Sequence, residues 1–199
     1  MRDTTLTLEI VTNCEGFDAL EKNWNLLLEE CDASIFQSYE WQRTWWKHFG
    51  ENDRFAKLHI VVVKKDGHLI GIAPLFIERV RTLVVIGHRR LVFIGQGPSD
   101  YLDALFAKGT ETECAELIAA HLAESSHLFD VIHLQDSTDR LPNHTLLFEA
   151  LKRKRFRGDH FINEYCPRTT LLDTWESTLA SFKIDNRREI RRRRRNLEK

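Results

Sequence analysis

The sequence predicts an α/β (α+β) protein in which helices flank a mixed, largely antiparallel central sheet and a basic helix follows at the C-terminal end. Two observations lead to this prediction. Apolar runs of strand length fill the middle of the chain, and two of them, "KLHIVVVKK" and "HLIGIAPLFIERV", meet at the hairpin signal Asp66-Gly67. Segments with apolar residues at helical spacing lie before and after these runs. A content of 42% hydrophobic residues, with five tryptophans, excludes a disordered chain.

The first predicted elements are a strand and a helix. Residues 6–11, "LTLEIV", alternate in polarity and end in β-branched side chains, which is typical of a strand. In the segment "FDALEKNWNLLLEEC", apolar residues recur at helical spacing and predict one amphipathic helix. Those residues are Phe17, Leu20, Trp24, Leu27 and Leu28.

A second helix is predicted in "IFQSYEWQRTWWKHFG", with Ser38 as its N-cap. Trp41, Trp45 and Phe49 are four residues apart and share one face, so we expect them to belong to the core. A stacking surface for a base or a sugar is the alternative. Trp46 lies off that face, and the spacing predicts that it is the exposed tryptophan.

Strands and helices alternate in the rest of the chain. "TLVVIG" and "RLVFIG" predict two strands that flank a short basic turn at His88-Arg89-Arg90. "ETECAELIAAHLAESS" and "PNHTLLFEALKRK" predict helices, and the strand "DVIHLQD" separates them. "TTLLDT" predicts a last strand, and "WESTLASF" and the arginine-rich end predict two last helices.

Charge is distributed unevenly along the chain. The net charge is -1, but the part from Lys183 onward carries nine basic and three acidic residues, so the body before it has a net charge of -7. We expect the basic end to contact the acidic body or another anionic surface. The four cysteines show no CxxC spacing and predict reduced thiols. With no apolar run of membrane-spanning length, the sequence predicts a cytoplasmic protein without a transmembrane segment.

Common catalytic and metal-binding patterns do not occur in the sequence. The nine histidines form no HxH or HExxH pattern and no Cys/His quartet, so we expect no metal site. GxSxG does not occur either. A Ser–His–Asp triad stays open, because its members meet only in space.

The stretch "GQGPSDY", residues 95–101, has three interpretations. Two glycines after a strand are typical of a phosphate cradle, but Pro98 has no N–H and the following "YLDALF" favours a strand over the helix that a cradle needs. A tight turn is the second interpretation. The third is a loop beside a substrate groove, with Asp100 and Tyr101 presenting polar groups.

The arginine stretch "IDNRREIRRRRRNLEK" also has three interpretations: a nucleic-acid-binding tail, a solvated helix end, or a helix that packs onto a following domain. Ile190 and Leu197 lie seven residues apart and share one helix face. Arg187, Arg191 and Arg195 line another face, where an acidic surface or an anionic ligand would relieve their mutual repulsion. Nucleic acid is the least favoured partner, because the stretch is short and has no aromatic residues among its arginines.

Three stretches together resemble the N-terminal half of the double-GNAT acyltransferases, the CelD/BioF2-like proteins, which are distantly related to the FemAB peptidoglycan aminoacyltransferases. They are "FQSYEWQRTWWKHFG", "GHLIGIAPLFIE" and "LVFIGQGPSDYLDAL", in that order. The family's second domain opens with the pattern R-x-x-I-R-R-x-x-R-x-L. Here it is matched by Arg187, Ile190, Arg191, Arg192, Arg195 and Leu197.

The resemblance implies a GNAT-like fold and an acyl transfer from acetyl-CoA or another acyl-CoA to an amine or hydroxyl acceptor, either a small molecule or a cell-envelope precursor. It implies an N-terminal domain over residues 1–182, and a basic helix over 183–199 that opens a second, donor-binding domain. That domain, or a partner chain, would complete the site, so this chain alone is expected to be inactive and to bind no acyl-CoA.

Residue by residue, the resemblance gives seven candidates. The acceptor groove is assigned to Gln37, Ser38, Trp41, Asp100 and Tyr101, and contact with an anion or the next domain to Arg187 and Arg191. No general base is assigned. A complete single-domain N-acetyltransferase is the alternative, and it requires a helix directly after Gly97. A non-enzymatic protein that binds nucleic acid through the arginine-rich helix is the other.

Overall fold

The computed structural model describes residues 5–80, 87–140, 142–166 and 169–198. The chain divides into two compact units, Met1–Gly158 and Asp159–Lys199. This boundary lies earlier than the division expected between residues 182 and 183, and the opening of a further domain at residue 183 stays a prediction.

Two four-stranded sheets form the first unit within the described residues. Their strand orders are β1-β3-β4-β7 and β2-β5-β6-β8, and every pair is antiparallel except β6 with β8. The predicted α/β architecture is therefore confirmed, with the strands divided between two sheets. The strands are β1 (Leu6–Val11), β2 (Lys57–Leu58), β3 (Ile60–Lys65), β4 (His68–Ala73), β5 (Leu75–Val80), β6 (His88–Phe93), β7 (Leu105–Phe106) and β8 (Val131–Ile132).

Both units contain helices. The first unit contains α1 (Cys14–Asp18), α2 (Glu21–Glu30), α3 (Tyr39–Trp45), α4 (Glu111–Glu124) and α5 (Asn143–Arg153), and the second contains α6 (Trp175–Ser181) and α7 (Ile184–Leu197). The helix expected from Phe17 is divided in two, because α1 ends at Asp18 before α2 begins. The predicted apolar face is nevertheless formed, with Phe17 and Trp24 fully buried and stacked at 5.6 Å between ring centroids. No helix among the described residues is both long and apolar enough to cross a membrane.

The hairpin between β3 and β4 forms where the sequence predicts it. Asp66 and Gly67 both have positive φ, 52° and 83°, as a two-residue turn that matches the twist of its strands requires. Pro74 then separates β4 from β5, which belong to different sheets. Its carbonyl accepts the N–H of Ile94 at 2.8 Å, so the chain changes sheet at this proline without losing this backbone hydrogen bond.

The basic turn expected at His88-Arg89-Arg90 is wrong, because these residues begin β6. Their charges are compensated across the sheet, where Arg89 pairs with Asp130 and Arg90 pairs with Glu78. Such pairs let arginines occupy the first residues of a strand that periodicity alone would begin later. The strand expected in "TLVVIG" covers residues 82–87, of which 82–86 lie outside the described residues.

The expected exposure of Trp46 is also wrong, since its side chain is only 4% exposed. Trp46 directly follows α3 and is the first residue of a π-turn over Trp46–Gly50, and its ring packs in the core against Phe76 at 5.6 Å between centroids. The indole lies so close to Gly50 that a Cβ there would be 2.3 Å from the ring. Phe49, expected in the core, is instead 60% exposed.

In the second unit, the strand expected in "TTLLDT" is wrong, because residues 169–174 form no strand. The N–H of Leu172 donates to the Thr178 hydroxyl of α6 at 2.8 Å, and Thr174 caps the same helix by accepting from Ser177 N. These residues therefore form hydrogen bonds at the N-terminus of α6. The predicted arginine-rich helix is confirmed as α7, in which Glu189 pairs with both Arg192 and Arg193.

Candidate functional site

The candidate site lies where the parallel strands β6 and β8 separate. Their pairing extends to Leu91 and Ile132, and the N–H of His133 still reaches the Leu91 carbonyl at 2.9 Å. Beyond this point the Asp136 carbonyl accepts from Leu102 N at 2.8 Å. The segment of residues 95–103, here called the mouth loop, thus leaves β6 and returns beside the continuation of β8. Ligands of open α/β sheets bind at such carboxyl ends of diverging strands.

Helix α3 holds the mouth loop through two tryptophans. Trp41 Nε1 donates to Ser99 Oγ at 2.7 Å, and Trp45 Nε1 donates to the Gln96 carbonyl at 3.2 Å. Their spacing of one helical turn places both indoles on the face that meets the loop. Ser99 is 2% exposed, so the Trp41 contact satisfies a buried hydroxyl. The two tryptophans therefore fix the loop's position.

Gly95 is required for the loop to leave the strand. Its φ of +101° is unfavourable for any residue with a Cβ, and a Cβ there would lie 3.0 Å from Leu102 and 3.1 Å from both Gln42 and Ser99. The first glycine of "GQGPSDY" therefore allows both a turn and a close approach of side chains.

Two non-glycine residues of the site have left-handed backbone conformations. Tyr101 has a φ of 58° and Asp136 a φ of 61°, and they are two of four such residues in the described part of the chain. Each conformation costs about 1–2 kcal/mol for an ordinary side chain. The hydrogen bond between Leu102 N and the Asp136 carbonyl lies next to both residues and holds the strained backbone in place.

The mouth is acidic. The mouth loop carries Asp100 and Asp103 and no lysine or arginine, and residues 134–140 after β8 carry Asp136 and Asp139 with one arginine, Arg140. Asp100 and Asp139 are exposed and Asp136 is half-buried, so three of these carboxylates can contact solvent or a ligand. Their field attracts cations and repels phosphates.

Asp103 is the buried member of this group. Its carboxylate accepts from Ala104 N at 2.8 Å, from the backbone N–H of Asn143, and from the His144 ring, whose Nδ1 lies at 3.3 Å. Burial raises the pKa of Asp103, and the His144 contact acts in the opposite direction. Asn143 Nδ2 also donates to the Ala104 carbonyl at 2.9 Å. These contacts tie the end of the mouth loop to the start of α5.

The structure places the predicted groove residues at different depths. Ser38 caps α3, and the buried Gln37 amide accepts from Ser34 N at 2.8 Å and donates to the Asp103 carbonyl at 3.3 Å. Trp41 and Tyr101 are half-buried at the mouth and Asp100 is exposed there. The role of all five in a groove stays a prediction.

Sequence reasoning missed Asp136, Asp103 and His144. Only for Asp136 was a signal present, because it follows a strand closely. Arg187 and Arg191 lie in the second unit, the first half-buried and the second exposed on α7, and their contact with an anion or a domain stays a prediction.

The mouth loop does not fit the pyrophosphate of an acyl-CoA. Gly97 N already donates to Asp136 Oδ2 at 3.3 Å, Pro98 has no N–H, and Leu102 N is used by the Asp136 carbonyl. Residues 98–104 form no helix, and α4 begins only at Glu111. Two N–H groups of the loop are therefore already used, and no helix N-terminus follows the glycines to supply the donors of a phosphate cradle. Within the described residues, no three histidine, cysteine, aspartate or glutamate side chains are grouped as metal ligands.

No protein-family model matches the chain, and no curated protein sequence is significantly similar to it. Among solved structures, a transcriptional regulator from Bacillus halodurans C-125 has 12% sequence identity, a TM-score of 0.47, and a match covering 81% of this chain and 99% of the regulator. The GNAT family acetyltransferases are also among the similar structures. At these low identities and TM-scores below 0.5, the matches assign neither substrate nor cofactor to this chain.

Two acetyltransferases illustrate this similarity. The aminoglycoside N-acetyltransferase AAC(6')-Iy, solved in complex with CoA, has 11% identity and a TM-score of 0.44, with 84% of this chain and 98% of the enzyme covered. A GNAT family acetyltransferase from Staphylococcus aureus has 11% identity and a TM-score of 0.42, with 84% and 99% covered. The narrower resemblance to the CelD/BioF2-like proteins stays a prediction.

Proposed function

We propose that this chain provides the acceptor side of a GNAT-like acyltransferase and that the acidic mouth binds a positively charged amine as the acyl acceptor. The sequence resemblance supports the reaction class. The observation that carries the choice of acceptor is the set of solvent-facing carboxylates of Asp100, Asp136 and Asp139, which outnumber Arg140, the one arginine beside them. A primary amine is protonated at neutral pH and is attracted to such a surface.

The acyl donor, acetyl-CoA or another acyl-CoA, is proposed to bind outside this mouth, on a second GNAT-like domain or a partner chain. The N–H groups of Gly97 and Leu102 already have acceptors, which supports a donor site outside the mouth. The alternative of a complete single-domain N-acetyltransferase requires a helix directly after Gly97, and residues 98–104 contain none. This chain alone is therefore expected to transfer no acyl group to an amine acceptor.

The experiment uses the whole chain and two kinds of probe. Spermidine and glucosamine report on the acceptor role, and glucose is the uncharged control. Binding is followed by ¹⁵N NMR at the indole N–H of Trp41, which contacts the mouth loop. We expect the amines to shift this resonance, salt to weaken the effect, and Asp100→Asn and Asp136→Asn to reduce it. Asn tolerates a positive φ, so the second change preserves the backbone of residue 136.

Asp185→Asn is the matched control, because this aspartate is exposed on α7 in the other unit. It is expected to leave amine binding unchanged. Equal shifts with glucose, or amine binding that resists both salt and the two mouth substitutions, would refute the acceptor role. Calorimetric titration with acetyl-CoA tests the donor separately, and tight binding would show that the donor site lies on this chain.

Nucleic-acid binding by α7 remains the second candidate, and the seven arginines from Arg187 to Arg195 are the observation that favours it. Arg192, Arg193 and Arg194 already pair with Glu189 and Glu198. A gel-shift assay at two salt concentrations tests this role. Binding that falls steeply with salt and is lost when residues 191–195 become glutamine would support it.

A further inference from the structure

A chain of three side chains leads from the interior to the surface at the start of α5. The Asp103 carboxylate is fully buried, the His144 side chain is 9% exposed, and Thr145 is exposed. His144 Nδ1 lies 3.3 Å from Asp103 Oδ2, and His144 Nε2 lies 3.3 Å from Thr145 Oγ1. The two ring nitrogens of one histidine thus contact a buried carboxylate on one side and an accessible hydroxyl on the other.

The neighbouring hydrogen bonds fix the direction of proton donation. Burial raises the pKa of Asp103, and the backbone N–H groups of Ala104 and Asn143 and the His144 ring oppose this by favouring the ionised carboxylate. In its ionised form the carboxylate only accepts, and Nδ1–H of His144 then donates to it. The other nitrogen, Nε2, then carries a lone pair and accepts the hydroxyl proton of Thr145. This order of carboxylate, imidazole and hydroxyl is the one that activates a nucleophilic hydroxyl.

We propose that Thr145, His144 and Asp103 form a reactive site for activated acyl esters and thioesters, in which Thr145 Oγ1 is the nucleophile. The Thr145 oxygen forms a bond to the acyl carbon as the bond from that carbon to the leaving oxygen or sulfur breaks. His144 Nε2 takes the Thr145 proton and delivers it to the leaving group, so an acyl-threonine ester and a free alcohol or thiol result. Asp103 is a positioning residue that keeps Nδ1 protonated.

This inference does not depend on the proposed acceptor role, because it concerns α5 and a covalent step within this chain. The site is held rigidly: Asn143 Nδ2 donates to the Ala104 carbonyl, which fixes the helix start against the residues that carry Asp103. A threonine hydroxyl without a base is a poor nucleophile at neutral pH, and a positioned base contributes about 100-fold or more. The rate of reaction at Thr145 therefore reports whether His144 acts as the base for its hydroxyl.

The experiment incubates the whole chain with p-nitrophenyl acetate and locates acetyl groups by peptide mass spectrometry. The exposed Cys166 and the other thiols are blocked beforehand with N-ethylmaleimide, because they would react with the ester. We expect acetylation of Thr145 in the wild-type chain. Thr145→Val should abolish it, Thr145→Ser should retain it, and His144→Gln should slow it about 100-fold.

Thr44→Val is the matched control, since it removes another exposed hydroxyl from a helix, α3, and should leave acetylation of Thr145 unchanged. Thermal unfolding of the His144 variant distinguishes a loss of reactivity from a loss of fold, and the exposed Thr145 variants test the relay without altering the core. The proposal is overturned if the folded wild-type chain forms no acetyl-Thr145, or if the folded His144→Gln variant forms it at the wild-type rate.

Discussion

A buried histidine, His59, stacked on the half-buried His121, predicts that the first unit loses stability in mild acid. His59, between β2 and β3, is 4% exposed, and its ring stacks on that of His121 of α4 at 5.2 Å between centroids. Their Nε2 atoms are 3.1 Å apart. One nitrogen must donate and the other must accept, so the contact is lost once both rings are protonated, because neither Nε2 can then accept.

The size of the effect follows from the pKa of His59. Burial, followed by the nearby His121, lowers this pKa from 6.5 to about 4, and burial also lowers the pKa of His121 against the influence of Glu124. As pH falls below 6.5, the unfolded chain binds a proton that the folded chain excludes, so the free energy of unfolding decreases until about pH 4. For His59 alone the loss reaches about 3 kcal/mol, at about 1.4 kcal/mol for each pKa unit.

Urea denaturation between pH 8 and pH 4 measures this loss. The double variant His59→Leu/His121→Leu removes both partners, so no unsatisfied polar group remains and its stability should decrease less in this range. His68→Leu is the matched control, because His68 is exposed and its loss should leave the pH dependence of the wild type intact. The reasoning is refuted if the wild type and the double variant show the same pH dependence, or if NMR gives His59 a pKa near 6.5.

Three further predictions concern stability, each measured by chemical denaturation. Gly95→Ala should destabilise the fold by about 1–3 kcal/mol and more than Gly97→Ala, since both glycines have positive φ but only Gly95 lacks room for a Cβ; equal losses would contradict this. Gly50→Ala should cost about 1–3 kcal/mol because its Cβ would overlap the ring of Trp46, and an unchanged midpoint would place that ring elsewhere. Trp41→Phe should cost about 1 kcal/mol through the lost indole hydrogen bond to the mouth loop, whereas full stability would show that another group holds the loop.

Elements whose signal lies within their own segment could be predicted from the sequence. Helix α4 has regular apolar spacing and appears as expected, and the β3–β4 hairpin forms at Asp66-Gly67 because both turn residues tolerate positive φ. The mouth loop likewise appears as a turn where two glycines break the pattern. In each case the physical cause acts over a few residues, so the local pattern carries it.

The errors occur where distant residues decide the structure. Arg89 and Arg90 look like a basic turn until Asp130 and Glu78 pair with them from other parts of the chain. Trp46 is buried because its ring packs on Phe76 of β5, a contact that the spacing along the helix cannot anticipate. No local pattern contains this information.

The candidate site also depends on contacts between distant residues, which the sequence pattern does not show. The sequence predicts that Trp41 and Trp45 belong to the core, with a stacking surface as the alternative. In the structure, their rings and their indole N–H groups make different contacts. The Trp45 ring packs on Phe76 in the core, while both indole N–H groups donate to the mouth loop. A loss of either tryptophan would therefore weaken packing and displace the site together. A substitution in the mouth loop separates the two effects. Ser99→Ala removes the hydroxyl that accepts from Trp41 Nε1 and leaves the Trp41 indole in place.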